Sequence, residues 1–242
     1  MLFRSATGTQ TPYFYSAHQC ISDQGVASTL NTFWRYEATS CNSGVSQTVT
    51  QLTRGATYLY SSSETDALLL RLAEPAPAGA EFSGWDAAAL PASSAIIGIH
   101  HPAGDAKKVS SGQQLVSNDP THNAVAWLSG STQGGSSGSG LFTLHADGYK
   151  LRGGLHGGDA SCANSGSISN TQNRDWYSRF DVAYPHIQQW LAPTTPILMN
   201  GAQPLIPGQA NPVSANGTPA VPQVKTRTVL KRRAAYRRYG TP

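Results

Sequence analysis

The sequence predicts an all-β fold, either a sandwich or a barrel. Seven short segments rich in aromatic or aliphatic residues recur along the chain, and clusters of Gly, Ser, Asn and Asp separate them. Many short strands with frequent turn signals are typical of these two architectures. Charged residues make up only 12% of the chain, which differs from helical proteins covered with Lys and Glu. The predicted strands are residues 11–17, 29–37, 66–72, 95–101, 124–128, 140–145 and 149–156.

One helix is predicted late in the chain. Pro185 suits a first helical position, and Ile187, Trp190 and Leu191 share one face at i, i+3, i+4 spacing. Pro193 is expected to end this helix, because proline cannot continue a helical hydrogen-bond ladder. The sequence has no run of 18 or more apolar residues, so no membrane-spanning helix is predicted.

The charge is distributed unevenly. Residues 193–242 contain seven basic residues and no acidic one, whereas residues 1–192 contain 10 basic and 13 acidic residues. The formal net charge of +4 is therefore a property of the tail and says nothing about the body. We expect residues 193–242 to be a Pro/Gly-rich linker and a disordered basic tail. Binding of this tail to anionic polymers or membrane surfaces is the alternative.

The segment GGSSGSGLF, residues 134–142, is the strongest chemical signal. A serine between glycines before a strand suits a nucleophile on a tight turn, and the N–H groups beside it can bind an oxyanion. This interpretation makes Ser137 the nucleophile and the N–H groups of Gly135 and Ser137 the oxyanion hole. The alternative for such a segment alone is a flexible Gly/Ser loop.

Two further motifs supply a base and an orienting acid. His18 follows a predicted strand in YFYSAHQC, and a serine nucleophile needs an imidazole to take its proton. Asp66 lies just ahead of an apolar strand in ETDALLLRL, where a buried carboxylate can fix the imidazole tautomer. Each residue alone could be an ordinary surface histidine or turn aspartate. The chain order His, Asp, Ser is one of those found in catalytic triads.

These motifs resemble those of the chymotrypsin-like serine proteases. SAHQC is similar to the TAxHC box of that family, TDALLLRL to its Asp-x-x-Leu-Leu strand, and GGSSGSG to its Gly-Asp-Ser-Gly-Gly box. The secreted bacterial lysyl endopeptidases are the nearest branch, since GIHHPAGDAKKVSSG, TQGGSSGSGLF and LHGGDASC resemble their segments. The similarity covers roughly residues 10–192. Gly140 stands where the family has Pro, and Ser136 stands where trypsin-like zymogens have an Asp that receives the new N-terminus.

The resemblance implies an all-β fold of two antiparallel β-barrels with a C-terminal helix and the active site between them. Residues 1–88 would form the N-terminal barrel with His18 and Asp66, and residues 89–192 the C-terminal barrel with Ser137. The implied reaction is peptide hydrolysis through an acyl-enzyme by a secreted monomer, with protein or peptide substrates and no cofactor, metal or nucleic acid. Two alternatives stay open. One is an inactive homologue that only binds peptides or proteins, and the other is a protease that cleaves after a non-basic residue.

The resemblance also implies a pocket for a basic side chain. Asp175, in NRDWYSRF, aligns with the acid at the base of the lysine pocket, and an unpaired buried carboxylate selects for a cation. Asp159 is the rival acid, and a solvated loop position is the alternative for Asp175. His156, Gly157 and Gly158 are expected to form the extended edge that pairs with the substrate backbone. Trp127 is either a subsite residue or a core strand residue, and the core interpretation is favoured.

Three cysteines occur, Cys20, Cys41 and Cys162, and an odd count in a secreted style of sequence indicates missing partners or free thiols. In the lysyl endopeptidases the counterparts of all three bond to cysteines upstream of the first catalytic box. We therefore expect the chain to be an N-terminally truncated form, with an incomplete first barrel and with the export signal encoded upstream. Expressed alone, it is expected to be insoluble or inactive, because each missing bridge is worth about 2–4 kcal/mol.

Overall fold

Strands dominate the chain, which we describe from a computed structural model that covers residues 2–3 and 9–193. The strands of these residues are β1 (Leu2–Phe3), β2 (Tyr13–Ala17), β3 (Thr32–Trp34), β4 (Thr50–Leu52), β5 (Ala56–Ser61), β6 (Ala67–Leu72), β7 (Gly84–Trp85), β8 (Ala95–His100), β9 (Lys108–Gln114), β10 (His122–Ser129), β11 (Gly140–His145), β12 (Gly148–Gly158) and β13 (Asp175–Ser178). The helices are α1 (Gln24–Ser28), a 3-10 turn at Pro102–Gly104 and α2 (Phe180–Leu191).

The second half of the chain forms a closed antiparallel barrel. The strand order is β11-β8-β9-β10-β13-β12, and β12 pairs back onto β11, so that the six strands close into a ring. The short strand β7 adds to β12 in parallel. Large side chains fill this barrel, including Trp127, Tyr177 and Leu141, each of them completely buried. This ring confirms the all-β fold class and, of its two architectures, the barrel.

The first half forms an open sheet. Its order is β1-β2-β6-β5, and a separate hairpin joins β3 to β4. The central strand β6 is buried on both faces, which explains its continuous apolar sequence. Leu68 and Leu70 pack in one cluster with Ile21, while Leu69 packs in another with residues of α2. The described residues therefore contain one closed barrel and one open sheet, whose end carries His18 and Asp66.

Helix α2 begins five residues earlier than the sequence suggested. Pro185 lies inside the helix rather than at its first position. Because proline lacks an N–H group, Asp181 at i−4 loses one ladder hydrogen bond. The helix persists through packing, since one face is buried against the β6 and β12 side of the molecule. That face consists of Phe180, Ala183, Ile187 and Leu191.

The remaining sequence expectations fall partly outside the described residues. The predicted linker and basic tail, residues 193–242, lie outside them apart from Pro193. Among the described helices, none is long and apolar enough to cross a membrane. Cys20, Cys41 and Cys162 are all described, and each is an exposed free thiol.

Candidate active site

The Ser137 loop is a tight turn held on both sides by the backbone. Gly135 and Gly138 adopt the left-handed region, with φ of 91° and 75°, which favours glycine over residues with a Cβ. The N–H group of Gly138 donates to Leu155 O at 2.8 Å, and that of Ser139 donates to Ser136 O at 3.0 Å. Within the described part of the chain, the N–H groups of Gly135 and Ser137 donate to no acceptor. The turn therefore leaves unpaired the two donors predicted to bind an oxyanion.

Hydrogen bonds between uncharged side chains link this turn to β8 and β9. The buried Ser136 hydroxyl lies 3.1 Å from His100 Nδ1, and His100 Nε2 lies 3.0 Å from the Ser110 hydroxyl. Burial, and secondarily the neighbouring His101, lowers the pKa of His100 to about 4. His100 is therefore neutral at physiological pH, and each ring nitrogen has a hydroxyl partner that can donate or accept.

Asp66 lies at the mouth of β6, as predicted, but its hydrogen-bond partners differ from those expected. It is 4% exposed, with a φ of 56°, a conformation that Asp tolerates better than most residues. Gln19 N donates to Oδ1 at 2.8 Å, and Gln19 Nε2 donates to Oδ2 at 2.7 Å. His156 Nδ1 lies 2.9 Å from Oδ2. Among the described residues, the side-chain and backbone donors to this carboxylate are therefore those of Gln19 and His156.

The His18 ring points to a different partner. Its Nδ1 lies 2.9 Å from the Ser61 hydroxyl, which in turn bonds the Tyr58 hydroxyl, and Tyr58 donates to Ser22 O at 2.9 Å. The His18 side chain forms no hydrogen bond or ion pair with Asp66 or Ser137, all three being described residues. Only its backbone N–H reaches Asp66, donating to the carbonyl oxygen at 3.0 Å. The expected orientation of His18 by Asp66 is therefore not found in this structure.

The sequence contained a signal for this difference. In the TAxHC box the histidine directly precedes the cysteine, whereas Gln19 directly precedes Cys20 in SAHQC. Aligned on Ala17 and Cys20, His18 falls at the variable position of the box and Gln19 at the histidine position. The structure agrees with this alignment, because the side chain that reaches Asp66 is that of Gln19.

The ring of His156, which contacts Asp66, lies next to the ring of His122. Its side chain is 50% exposed, and its ring centroid lies 5.0 Å from that of His122. Burial is the main cause that lowers the pKa of His122, and its side chain is only 12% exposed. His122 is therefore largely buried. It sits at the start of β10, close to the candidate site.

Asp175 is buried at the start of β13 and is incompletely paired. It is 1% exposed, and its Oδ2 accepts hydrogen bonds from Trp127 Nε1 and Thr132 Oγ1, both at 2.6 Å. Its Oδ1 is buried without a hydrogen bond among the described residues. The Ala160 N–H donates to Arg174 O at 3.1 Å, and it also lies close enough to the Asp175 carboxyl to lower its pKa, an effect smaller than that of burial. Burial is the largest influence on this carboxyl and raises its pKa.

Of the other residues predicted to bind substrate, Gly157 and Gly158 lie beside β13, whereas His156 contacts Asp66. Gly158 and Gly157 pair with Asp175 and Trp176 across β12 and β13. A Cβ on Gly158 would lie 2.4 Å from Asp175 Oδ1, so only glycine leaves space beside that oxygen. The rival acid, Asp159, is exposed.

Trp127 is a core residue, as the favoured interpretation of the sequence predicts. It is completely buried in the barrel core, and it also donates its indole hydrogen to Asp175.

The comparisons with known proteins agree with these motifs. A family model described as "Lysyl endopeptidase, C-terminal domain" matches residues 1–178. The lysyl endopeptidase of Pseudomonas aeruginosa is 42% identical over 202 residues, which cover 79% of this chain and 43% of that protein. The chain thus spans less than half the length of this relative. Among solved structures, Rv3671c from M. tuberculosis, in an inactive mutant form, matches with a TM-score of 0.43 and 12% identity, over 80% of this chain and 86% of that one.

Proposed function

Since the chain belongs to the lysyl endopeptidase family, we propose that it is a serine endopeptidase domain that recognises a lysine side chain in its substrate. In this proposal Asp175 receives the lysine ammonium and Ser137 faces the peptide bond that follows. Secretion and a monomeric state stay predictions.

The incomplete pairing of Asp175 carries the proposal. A buried carboxylate is costly unless its oxygens are paired, and here one oxygen has two donors while the other has none among the described residues. A lysine ammonium carries three N–H donors and a positive charge, so it would satisfy the open oxygen. A neutral side chain of similar length would leave the charge unpaired. This difference is the basis for selecting lysine.

The Ser137 turn supports the acyl-transfer part of the proposal. The unpaired N–H groups of Gly135 and Ser137 are placed to bind the oxygen of a tetrahedral intermediate, where such donors contribute most. The Ser137 Oγ would attack the carbonyl carbon, its proton would pass through a base to the leaving amine, and water would then release the acyl group. The chain supplies the nucleophile, the oxyanion donors and the pocket acid for these steps.

A second candidate function is peptide binding without efficient hydrolysis. One observation favours it: Asp66 is bonded to Gln19, whereas His18 is bonded to Ser61. Recognition through Asp175 is common to both candidates, and they differ only in the fate of the Ser137 proton.

Recognition of lysine through Asp175, which both candidate functions require, can be tested by a binding measurement without turnover. Peptides that differ only in Lys, Arg or norleucine at one position would be titrated against the full chain carrying Ser137→Ala, which prevents acylation. We expect the lysyl peptide to bind tightest, and norleucine to bind at least tenfold more weakly. Equal affinities for lysine and norleucine would contradict the proposal.

A further inference from the structure

We propose that Gln19 occupies, on Asp66, the position that the catalytic imidazole takes in an active serine protease. The chain therefore holds lysyl peptides while turning them over slowly. This inference rests on the proposed function, because it concerns the base that would serve Ser137 in the same cleft.

Every N–H donor of Gln19 has an acceptor. Its backbone N–H and its side-chain amide donate to the two oxygens of Asp66, at 2.8 and 2.7 Å. The amide also donates to His156 O at 2.6 Å. Both amide hydrogens are thereby committed, and Gln19 bridges the mouth of β6 to the end of β12. The residue fills the donor position on the carboxylate with specific bonds.

An amide in this position cannot perform the proton transfer. In a catalytic triad the carboxylate accepts the Nδ1–H of the imidazole, and the opposite ring nitrogen takes the serine proton and returns it to the leaving amine. The nitrogen of a glutamine amide is a donor only, and its oxygen accepts hydrogen bonds without being protonated near neutral pH. Gln19 can hold Asp66 in place, but it cannot take the Ser137 proton.

His18 does not replace the missing base in the observed arrangement. The Tyr58 hydroxyl donates to Ser22 O, so the Ser61 hydroxyl donates to Tyr58 and accepts the Nδ1–H of His18. The ring thus faces a neutral hydroxyl, and no described carboxylate lies within ion-pair distance to stabilise an imidazolium. His156 does face Asp66, but its ring lies beside His122 and makes no hydrogen bond to Ser137.

The test compares single variants of the full chain. Gln19→His restores an imidazole at the proposed position, and Gln19→Leu is the matched control that breaks the same bonds without supplying a base. His18→Ala and His156→Ala probe the two rival bases, and Ser137→Ala is the blank. The readouts are the rate of fluorophosphonate labelling, kcat/KM for a lysyl amide substrate, and the affinity for a lysyl peptide.

We expect Gln19→His to raise labelling and kcat/KM by about 1000-fold or more, the scale on which single triad members act. Its rate should rise with pH through roughly 6.5, as the new imidazole loses its proton. Wild type and Gln19→Leu should not show this rise of the rate with pH. In the wild-type background, neither His18→Ala nor His156→Ala should lower labelling by tenfold or more, and lysyl affinity should stay within about threefold in Gln19→His and Gln19→Leu.

Two results would count against the inference or against the proposed function. If wild type matches Gln19→His and loses tenfold or more with His18→Ala or His156→Ala, then that histidine is the base and the inference is wrong, although the proposed function stands. If Gln19→His fails to fold, the two histidine variants in the wild-type background still decide the question by the same criterion. If wild type binds lysyl and norleucyl peptides equally, the proposed function fails, whereas the labelling series still reports on Gln19.

Discussion

Replacement of Asp175 by Asn is the sharpest perturbation of the proposed pocket. The side chain keeps its size, and the remaining oxygen can still accept from Trp127 Nε1 and Thr132 Oγ1, each of which lies 2.6 Å from Oδ2. The change removes the negative charge and places an amide nitrogen where the unpaired Oδ1 now lies. Packing is therefore conserved, while the partner of a lysine ammonium is lost.

The size of the effect follows from burial. Removing one partner of a buried, hydrogen-bonded charge pair costs about 2–5 kcal/mol. At about 1.4 kcal/mol per tenfold, this corresponds to roughly 30-fold to 4000-fold in affinity for lysine. Asp159 carries the same charge but is exposed, and exposed pairs are worth about 0–1 kcal/mol. The matched control Asp159→Asn should therefore weaken lysyl binding by less than about fivefold.

Fluorescence anisotropy with two peptides that differ only in Lys or norleucine would measure this effect without any need for turnover. Because burial raises the pKa of Asp175, the carboxylate fraction grows as the pH rises through that pKa. Lysyl affinity should accordingly increase as the pH rises through this pKa and then level off, and Asp175→Asn should abolish the increase. A larger loss from Asp159→Asn than from Asp175→Asn would refute the assignment of the pocket.

Two further predictions concern the glycine beside the pocket and the histidine beneath the Ser137 turn. Gly158→Ala should abolish lysyl selectivity, because its Cβ would lie 2.2 Å from Arg174 O and 2.4 Å from Asp175 Oδ1. The control is Gly134→Ala, whose Cβ would have no atom within 4 Å. Equal lysyl binding by the two variants would contradict this reasoning. His100 has a pKa lowered from 6.5 to about 4, so the unfolded chain binds the additional proton between these values and stability should fall as the pH drops through this window. The loss should approach about 3 kcal/mol at low pH. Urea unfolding at pH 7 and pH 4 measures it, and His100→Gln should remove this part of the pH dependence.

The strands that the sequence predicts are those with a continuous apolar face. All seven predicted segments overlap observed strands, from β2 to β12, and the strands of six of them place buried residues in a core; β3 is the exception. The strand β9 was missed since its sequence, KVSSGQQ, is almost entirely polar; it forms because it completes the ring between β8 and β10. The early start of α2 was missed because Pro185 is a strong local signal, whereas the buried face around it depends on the tertiary structure.

In the candidate site, too, local sequence predicts some features, whereas others depend on the tertiary structure. Ser137 and Asp66 lie on the turn and strand mouth that their motifs indicated, and Asp175 lies in the protein interior. The predicted contact between His18 and Asp66 is not found, because His18 lies one residue before Gln19, the position that faces the carboxylate. Local sequence identifies chemical groups, but which of two adjacent side chains points to a given acid depends on the turn that follows β2.

The most direct measurement of the central claim is the fate of a single lysyl peptide. The peptide would be incubated at stoichiometric concentration with the wild-type chain and with Gln19→His, and mass spectrometry would follow bound and free species over time. We predict that wild type leaves most of the peptide intact over the time in which Gln19→His cleaves it completely after lysine. Rapid cleavage after lysine by wild type, at a rate equal to that of Gln19→His, would contradict it.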